Sequence, residues 1–256
     1  VKRILKSLKI NSQVLTWKGK KPVSNIQSLA RNKRYELLFS KCKKLNVSNL
    51  ILGHHKDDLI ENFFIRFLRG SGLKGLVSFE KKIINYNGIK VIRPFLSTSK
   101  KDLFKINKKT FGFFVDDPTN NDDKFLRSRI RKLIVNLNKE GLKFNKFYLT
   151  LQNLSKSNKV IEFFVEKNVV ENSKYFEKDN KIILNHSFFK NPEEIILRSF
   201  TRVIQNISNK KNYPRGKKVL GIVDSLRFSN KNVKLTLSGC IIEKISNSVI
   251  IYQENR

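Results

Sequence analysis

The sequence predicts an α/β protein: a doubly wound, mostly parallel sheet followed by a smaller, mixed and largely helical domain. Three observations carry that expectation. The run VSNLILG at 47–53 is short, apolar and closed by glycine, as a strand buried on both faces of a parallel sheet should be. HHKDD follows at once and opens an amphipathic helix, so strand, polar loop and helix succeed one another as in doubly wound folds. Past residue 140 the chain becomes rich in Lys, Asn and Phe and its patterns weaken. The expected domains are therefore residues 1–140 and 141–256.

Taken in order, VKRILKSLKINSQVLTWKG reads as a helix end running into a strand with nothing before it to pair with. A truncated start is the expectation there. GKKP makes a basic turn, and Ser24 precedes a helix in which Ile26, Leu29, Tyr35, Leu38 and Phe39 recur at helical spacing. After the strand at 47–53, the helix LIENFFIRFLRG ends at Gly70. Its residues Ile60, Phe63, Phe64, Phe67 and Leu68 form one apolar stripe, and Asp58, Glu61, Asn62 and Arg69 fall on another face. IINYNGIKVIRPF, at 83–95, reads as a hairpin turning at Asn87-Gly88. Ser97 to Gly112 reads as a capped helix, FFVDDPTNNDD as a loop no helix can cross, and FLRSRIRKLIVNL as a basic helix. A longer helix starts near Asn145, and VKLTLSGCIIEKISNSVIIYQE alternates as a hairpin ending in a strand.

Charge narrows the function. Lys and Arg number 53 against 21 Asp and Glu, a formal net charge of +32. Such a surplus attracts polyanions, of which nucleic acid is the commonest in a cell. Biased base composition in the coding DNA also inflates lysine, but it explains the arginine clusters less well. No apolar run is long enough to span a bilayer. Cys42 and Cys240 stand far apart, which argues against a disulfide framework, a cysteine zinc site or an iron–sulfur cluster and for a reduced, cytoplasmic setting.

The chemistry-bearing residues gather around His54. Asp58 and Glu61 are three apart near a helix N-terminus, so their carboxylates point the same way and are candidates to hold Mg²⁺. His54 and His55 can accept a proton or orient a substrate group. Each also has a plain structural reading: acidic residues cap helix starts, and a histidine at a strand end is often merely hydrogen-bonded. RGSGLKGL adds Gly70, Gly72 and Gly75, which allow a tight backbone path beside Arg66 and Arg69.

LGHHKDDLIENFFIRFLRGSGLKGL resembles the hallmark segment of the tRNA(Ile)-lysidine synthases, a family of the N-type ATP pyrophosphatase (PP-loop) superfamily. The resemblance extends upstream through Trp17, Gly19, Lys21-Pro22, Gln27 and Ala30-Arg31 to Arg34-Tyr35. Downstream it runs through IRPFL, DDPTNNDDKFLRSRIR, LTLSGC and Gln253-Glu254. It implies a Rossmann-like fold and a two-step reaction: ATP adenylates the ring carbonyl of the wobble cytidine in a tRNA(Ile) with a CAU anticodon, and free lysine then displaces AMP. It implies ATP and Mg²⁺, a cytoplasmic setting and a basic tRNA-binding domain at 141–256. By position it implies catalytic roles for Asp58, Glu61, His54, His55 and Arg131, with Asp58 and Glu61 on Mg²⁺ or lysine. It places Arg31 near the nucleotide, and we assign Arg66, Arg69, Arg127 and Arg129 to tRNA. Three arginines at alternate positions spread around a helix, so Arg127, Arg129 and Arg131 cannot all reach one site.

The sequence departs from the family at Asn62, where Thr is usual, at Thr119, where Ser is usual, and at Ser128, where Asn is usual. The family's Ser-Gly-Gly-x-Asp-Ser phosphate loop would lie before Val1, so residues 1–256 alone are expected to be inactive. Two other readings fit parts of the pattern. A tRNA thiolase of the same superfamily shares the His-His-x-Asp-Asp segment but relies on paired cysteines. A non-catalytic basic RNA-binding protein explains the charge but leaves Asp58, Glu61 and the glycine turn without a purpose.

Overall fold

The computed structural model describes residues 1–19, 26–80, 83–86, 88–112, 126–208, 216–229 and 231–254, with only the backbone at 27 and 28. Ser24, Lys21-Pro22, Asn87, Thr119 and the loop at 113–123 lie outside the described residues. The chain divides into two compact units, Val1–Leu154 and Ser155–Arg256.

The first unit opens with α1 (Lys2–Ser7), and no strand forms between it and Gly19. The strand expected in SQVLTW is thus not present: an apolar alternation becomes a strand only where another edge takes up its hydrogen bonds. Then come α2 (Ile26–Lys44), β1 (Asn49–Ile51), α3 (Lys56–Phe67), α4 (Leu73–Leu76), β2 (Ile83–Tyr86), β3 (Ile89–Ile92), α5 (Lys100–Phe111) and α6 (Leu126–Lys139). The α5 cap is Ser99 rather than Ser97, because a short 3-10 helix occupies Pro94–Ser97; Gly112 ends α5 in the left-handed region.

The sheet of this unit runs β1-β3-β2. β1 pairs parallel with β3, and β2 antiparallel with β3 as the expected hairpin. The α/β class holds. Among the described residues the sheet is mixed, with one parallel and one antiparallel pairing, rather than an extended parallel array. The core beneath α3 joins Leu59 and Ile60 to Val77, Phe79, Leu96, Phe147 and Leu151.

Phe147 and Leu151 belong to α7 (Phe144–Asn172), whose first turns therefore pack within the first unit. That packing is why the division falls at 154/155, later than the change in composition near residue 140. The second unit continues with β4 (Ser173–Phe176), β5 (Lys181–Leu184), α8 (Glu193–Ser208), α9 (Gly216–Phe228), β6 (Val233–Leu237), β7 (Cys240–Ile245) and β8 (Ser248–Gln253). Its antiparallel sheet has the order β4-β5-β8-β7-β6. Ile196, Phe200, Val203, Ile204 and Ile207 recur at helical spacing on α8, and all are fully buried against Leu184, Cys240, Ile242 and Ile251. Ser238 and Gly239 both have positive φ, as a two-residue turn joining β6 to β7 requires. Helices and strands do mix here, but β4 and β5 extend the sheet well beyond the expected closing hairpin.

Candidate active site

Because β1 and β3 run parallel, their carboxyl ends lie side by side, and the Leu52 N–H donates to the Ile92 carbonyl at 2.8 Å. From β1 the chain continues into His54 and His55; from β3 it continues into Arg93. Ligands in open α/β sheets bind at such ends.

His55 is the extended N-cap of α3, and its N–H donates to Asp58 Oδ2 at 2.9 Å. Asp58 therefore does cap the helix, the plain reading of its position. The imidazole of His55 lies between two carboxylates: Nδ1 is 3.4 Å from Asp57 Oδ2, and Nε2 is 3.6 Å from Asp58 Oδ2. Asp57 also accepts the Lys100 N–H at 2.8 Å, fastening the first turn of α5 to that of α3. Asp57 beside it raises the pKa of His55, and His55 in turn holds the Asp57 carboxyl below its ordinary value.

His54 is different. Its ring meets Phe79 edge-on at 5.0 Å, and its Nδ1 is buried without a hydrogen-bond partner. Burial pushes its pKa down to about 4, against the opposing pull of Asp58. His54 is therefore neutral at neutral pH, able to orient or accept from a substrate group. The Arg93 guanidinium lies 4.3 Å from the centre of the Phe79 ring and donates to the Phe79 carbonyl at 3.3 Å. Arg93 is only 6% exposed, and burial lowers its pKa while Tyr35 partly restores it. Arg31 lies over the Tyr35 ring at 5.1 Å, with Nη2 3.4 Å from the hydroxyl.

Arg93 and Asp57 were not among the expected site residues. The signal for Arg93 was a single arginine closing the strand pattern of VIRPF, just before a proline. The signal for Asp57 was no stronger than any acidic residue in a helix's first turn.

Glu61 departs most from expectation. It is 3% exposed, although the helical pattern put it on a polar face, while Phe67 and Leu68 of the apolar stripe are 59% and 58% exposed. The buried side of α3 is turned because α6 packs on it, and Arg131 of α6 reaches Glu61. Arg131 Nε donates to Glu61 Oε1 at 2.6 Å and Nη2 to Oε2 at 3.4 Å, and Arg127 Nε comes within 3.4 Å of Oε2. Arg127 and Arg131 share a face, whereas Arg129 is exposed on another. Asp58 and Glu61 thus turn to different partners, and their carboxylates do not converge on one cation. Among the described residues no three His, Cys, Asp or Glu side chains are grouped to hold a metal ion. The pair does not fit Mg²⁺ as ligands, because both Glu61 oxygens already face guanidinium groups.

Arg66 is half-buried, with its Nε donating to Asn62 Oδ1 at 2.8 Å, and Arg69 is exposed. In the glycine turn, a Cβ on Gly75 would come within 2.9 Å of Ser71 Cβ, and Gly70 has a φ of +66. Local packing and a left-handed turn account for those two glycines.

Opposite shifts at His54 and His55 make a test. Unfolded chains take up a proton on His54 near pH 6.5 and the folded protein only near pH 4, so acidification across that window favours unfolding. His55 acts the other way: its contribution is full below its unfolded value and is lost as pH rises through its raised folded value. Asp57, with its depressed pKa, loses its contribution only in stronger acid. The melting temperature of the unaltered protein should therefore fall between pH 6.5 and 4.5, and that of His54→Asn should fall less. Equal falls would remove the buried imidazole as the cause.

A family model described as PP-loop domain matches residues 1–138. The chain is 32% identical over 267 residues to the tRNA(Ile)-lysidine synthase of Orientia tsutsugamushi (strain Boryong), covering 99% of this chain and 58% of that protein. It is 33% identical over 248 residues to the protein of the same name from Wolbachia sp. subsp. Brugia malayi (strain TRS), covering 95% of this chain and 56% of that one. To the protein of that name from Rickettsia typhi (strain ATCC VR-144 / Wilmington) it is 32% identical over 258 residues, 99% of this chain and 58% of the relative. The chain thus spans 56% to 58% of the length of these curated relatives. With a family model covering more than half of its length and its histidine–aspartate turn at the ends of parallel strands, the chain belongs to the PP-loop domain family, among relatives that carry the name tRNA(Ile)-lysidine synthase.

Proposed function

We propose that the protein is an ATP-dependent ligase that joins lysine to the wobble cytidine of a tRNA(Ile) with a CAU anticodon, in the cytoplasm. One observation carries the reading: the His54–Asp58 turn stands at the carboxyl ends of β1 and β3 in a chain that aligns over 99% of its length with a protein of that name. In the first step the cytidine carbonyl oxygen attacks the α-phosphorus of ATP and pyrophosphate leaves. In the second a lysine amino group attacks the activated ring carbon, AMP leaves, and the amine gives up its proton. Mg²⁺ accompanies ATP through the phosphate oxygens, which it favours as ligands.

Within this chain we assign Asp58 to the lysine, as the carboxylate oriented by His55 at the strand ends. Neutral His54 offers a hydrogen-bonding nitrogen to the extruded base or the amine. Arg31 and Arg93 supply positive charge for phosphate, and Arg66 and Arg69 with the second unit meet the tRNA. Cys42 and Cys240 are both buried and free, which favours ligase over thiolase. Among the described residues no helix is long and apolar enough to cross a membrane.

The test uses protein expressed from the intact gene, with ATP, Mg²⁺, lysine and the tRNA transcript. We expect pyrophosphate release and an anticodon loop heavier by one lysine less one water, with no such gain from other amino acids. Sulfur incorporation, or ATP turnover without a change in mass, would overturn the reading.

A further inference from the structure

Two stretches carry the resemblance into the second unit without a use there: LTLSGC at 235–240 and Gln253-Glu254. They meet at one cavity. The chain turns from β6 to β7 through Ser238 and Gly239, and the Glu254 N–H donates to the Gly239 carbonyl at 2.9 Å, which brings the end of β8 beside that turn. Thr236, Ser238 and Glu254 line the cavity from the sheet, and Lys217, Lys218 and Gly221 line it from α9. Its volume is about 560 Å³, within the range of ligand pockets, about 300–1,000 Å³. We propose that this cavity is a subsite for one ribose–phosphate unit of the RNA backbone, an inference that rests on the RNA-modifying reading above.

Two features of α9 go against helix stability, and both line the cavity. Lys217 and Lys218 stand in the first turn, which has no acidic residue, where the helix dipole disfavours cations. Gly221 sits inside the helix, where glycine is a poorer former than alanine. Packing does not require it, because a Cβ at Gly221 would meet nothing within 4 Å. A bound phosphate accounts for both. Its charge offsets the repulsion at the helix start, and the bare backbone at Gly221 lets a ligand come close. Local disadvantages that nothing in the fold explains gather at functional sites.

The lining also selects the occupant. Among its described residues two lysines outweigh one carboxylate, Glu254, and lysine meets phosphate as a point charge. The Thr236 and Ser238 hydroxyls can donate to phosphate oxygens. Glu254, an acceptor when ionised, suits a sugar hydroxyl, the group that separates ribose from deoxyribose. No aromatic side chain is among the described lining residues, so no base is stacked there, and the backbone rather than the sequence is read.

Gly221→Leu fills the cavity without altering charge, and should not lower the melting temperature, since Leu favours a helix more than Gly. It should weaken tRNA binding about tenfold, the scale of one charge-assisted hydrogen bond. It should also lower the magnitude of the slope of log K against log salt by about one, the loss of one phosphate contact. Lys217→Gln combined with Lys218→Gln should do the same. All three substitutions together should bind no worse, because they act on one contact.

The measurements are fluorescence titrations of the tRNA transcript at several salt concentrations, with AMP titrated in parallel, on protein expressed from the intact gene; thermal melting reads folding. Unchanged tRNA affinity or an unchanged slope in Gly221→Leu overturns the proposal, as do losses that add in the triple variant. Loss of AMP binding in Gly221→Leu with tRNA binding intact marks a free-nucleotide site and overturns it as well. Where Gly221→Leu does not fold, the lysine pair decides, since unchanged affinity there overturns the proposal on its own. If the unaltered protein binds no tRNA at low salt, the functional reading fails instead, and the subsite with it.

Discussion

Asp58→Asn should lower lysidine formation by about two orders of magnitude or more, the usual scale for losing a positioned catalytic charge. The substitution is informative because the proposed reading gives Asp58 two tasks at once. Its Oδ2 accepts the His55 N–H and so caps α3. An asparagine oxygen at this third helical position can accept the same hydrogen bond from the N-cap residue His55, so stability should change by less than about 1 kcal/mol. What Asn cannot supply is negative charge for an ammonium group. Asp58→Ala removes both and should cost about 1 kcal/mol in addition, the scale of one hydrogen bond. The comparison needs single-turnover rates and melting curves on the same preparations. If Asn retains the rate and Ala loses only stability, Asp58 is a capping residue and nothing more.

The sequence was most legible where the pattern was local. The strand before Gly53, the helix that follows, the hairpin at 83–95 and the stop at Gly112 all depend on neighbours a few residues apart, and all are present. The strand is nevertheless only Asn49–Ile51 and, with Ile51 66% exposed, is not buried on both faces as expected, because β1 has β3 on one side only among the described residues. Legibility failed where a partner from far along the chain decided the outcome. Glu61 reads as a surface residue on a helical wheel, yet Arg131, seventy positions later, makes burial tolerable. Phe67 and Leu68 continue the apolar stripe but are exposed, because the core beneath α3 is filled by Phe79, Leu96 and Phe147. β5 is four residues long and pairs with β8, which no local alternation announces. Arg93 entered only as one letter of IRPFL, and its place beside the turn appears only once Phe79 is seen between it and His54. Asp58 stood out by its spacing and by the resemblance, but the hydrogen bond it accepts from the His55 N–H required the folded turn.

Raising salt from 50 to 200 mM should weaken tRNA binding by about 10³ to 10⁵, the response of a protein contacting roughly six to ten phosphates, with log K falling against log salt at a slope of about −5 to −9. A net charge of +32 makes a steep slope easy to expect, but the structure shows that not every cation is available for it. In the second unit Arg198 pairs with Glu162 and Glu194, and Arg202 with Glu162 and Glu166, so both are committed to holding α7 against α8. Arg198 is also nearly buried, and its loss should be felt as stability. Arg69 is exposed at the end of α3, and Arg129 on the outer face of α6. Neutralising either should lower the magnitude of the slope by about one, the contribution of one phosphate contact. Arg198→Gln should instead lower the melting temperature and leave the slope unchanged. The measurement is a fluorescence titration of tRNA at four or more salt concentrations for each variant. Salt-independent binding would count against an RNA substrate. An equal change of slope for Arg198→Gln and Arg69→Gln would show that total charge, rather than a particular surface, governs the encounter.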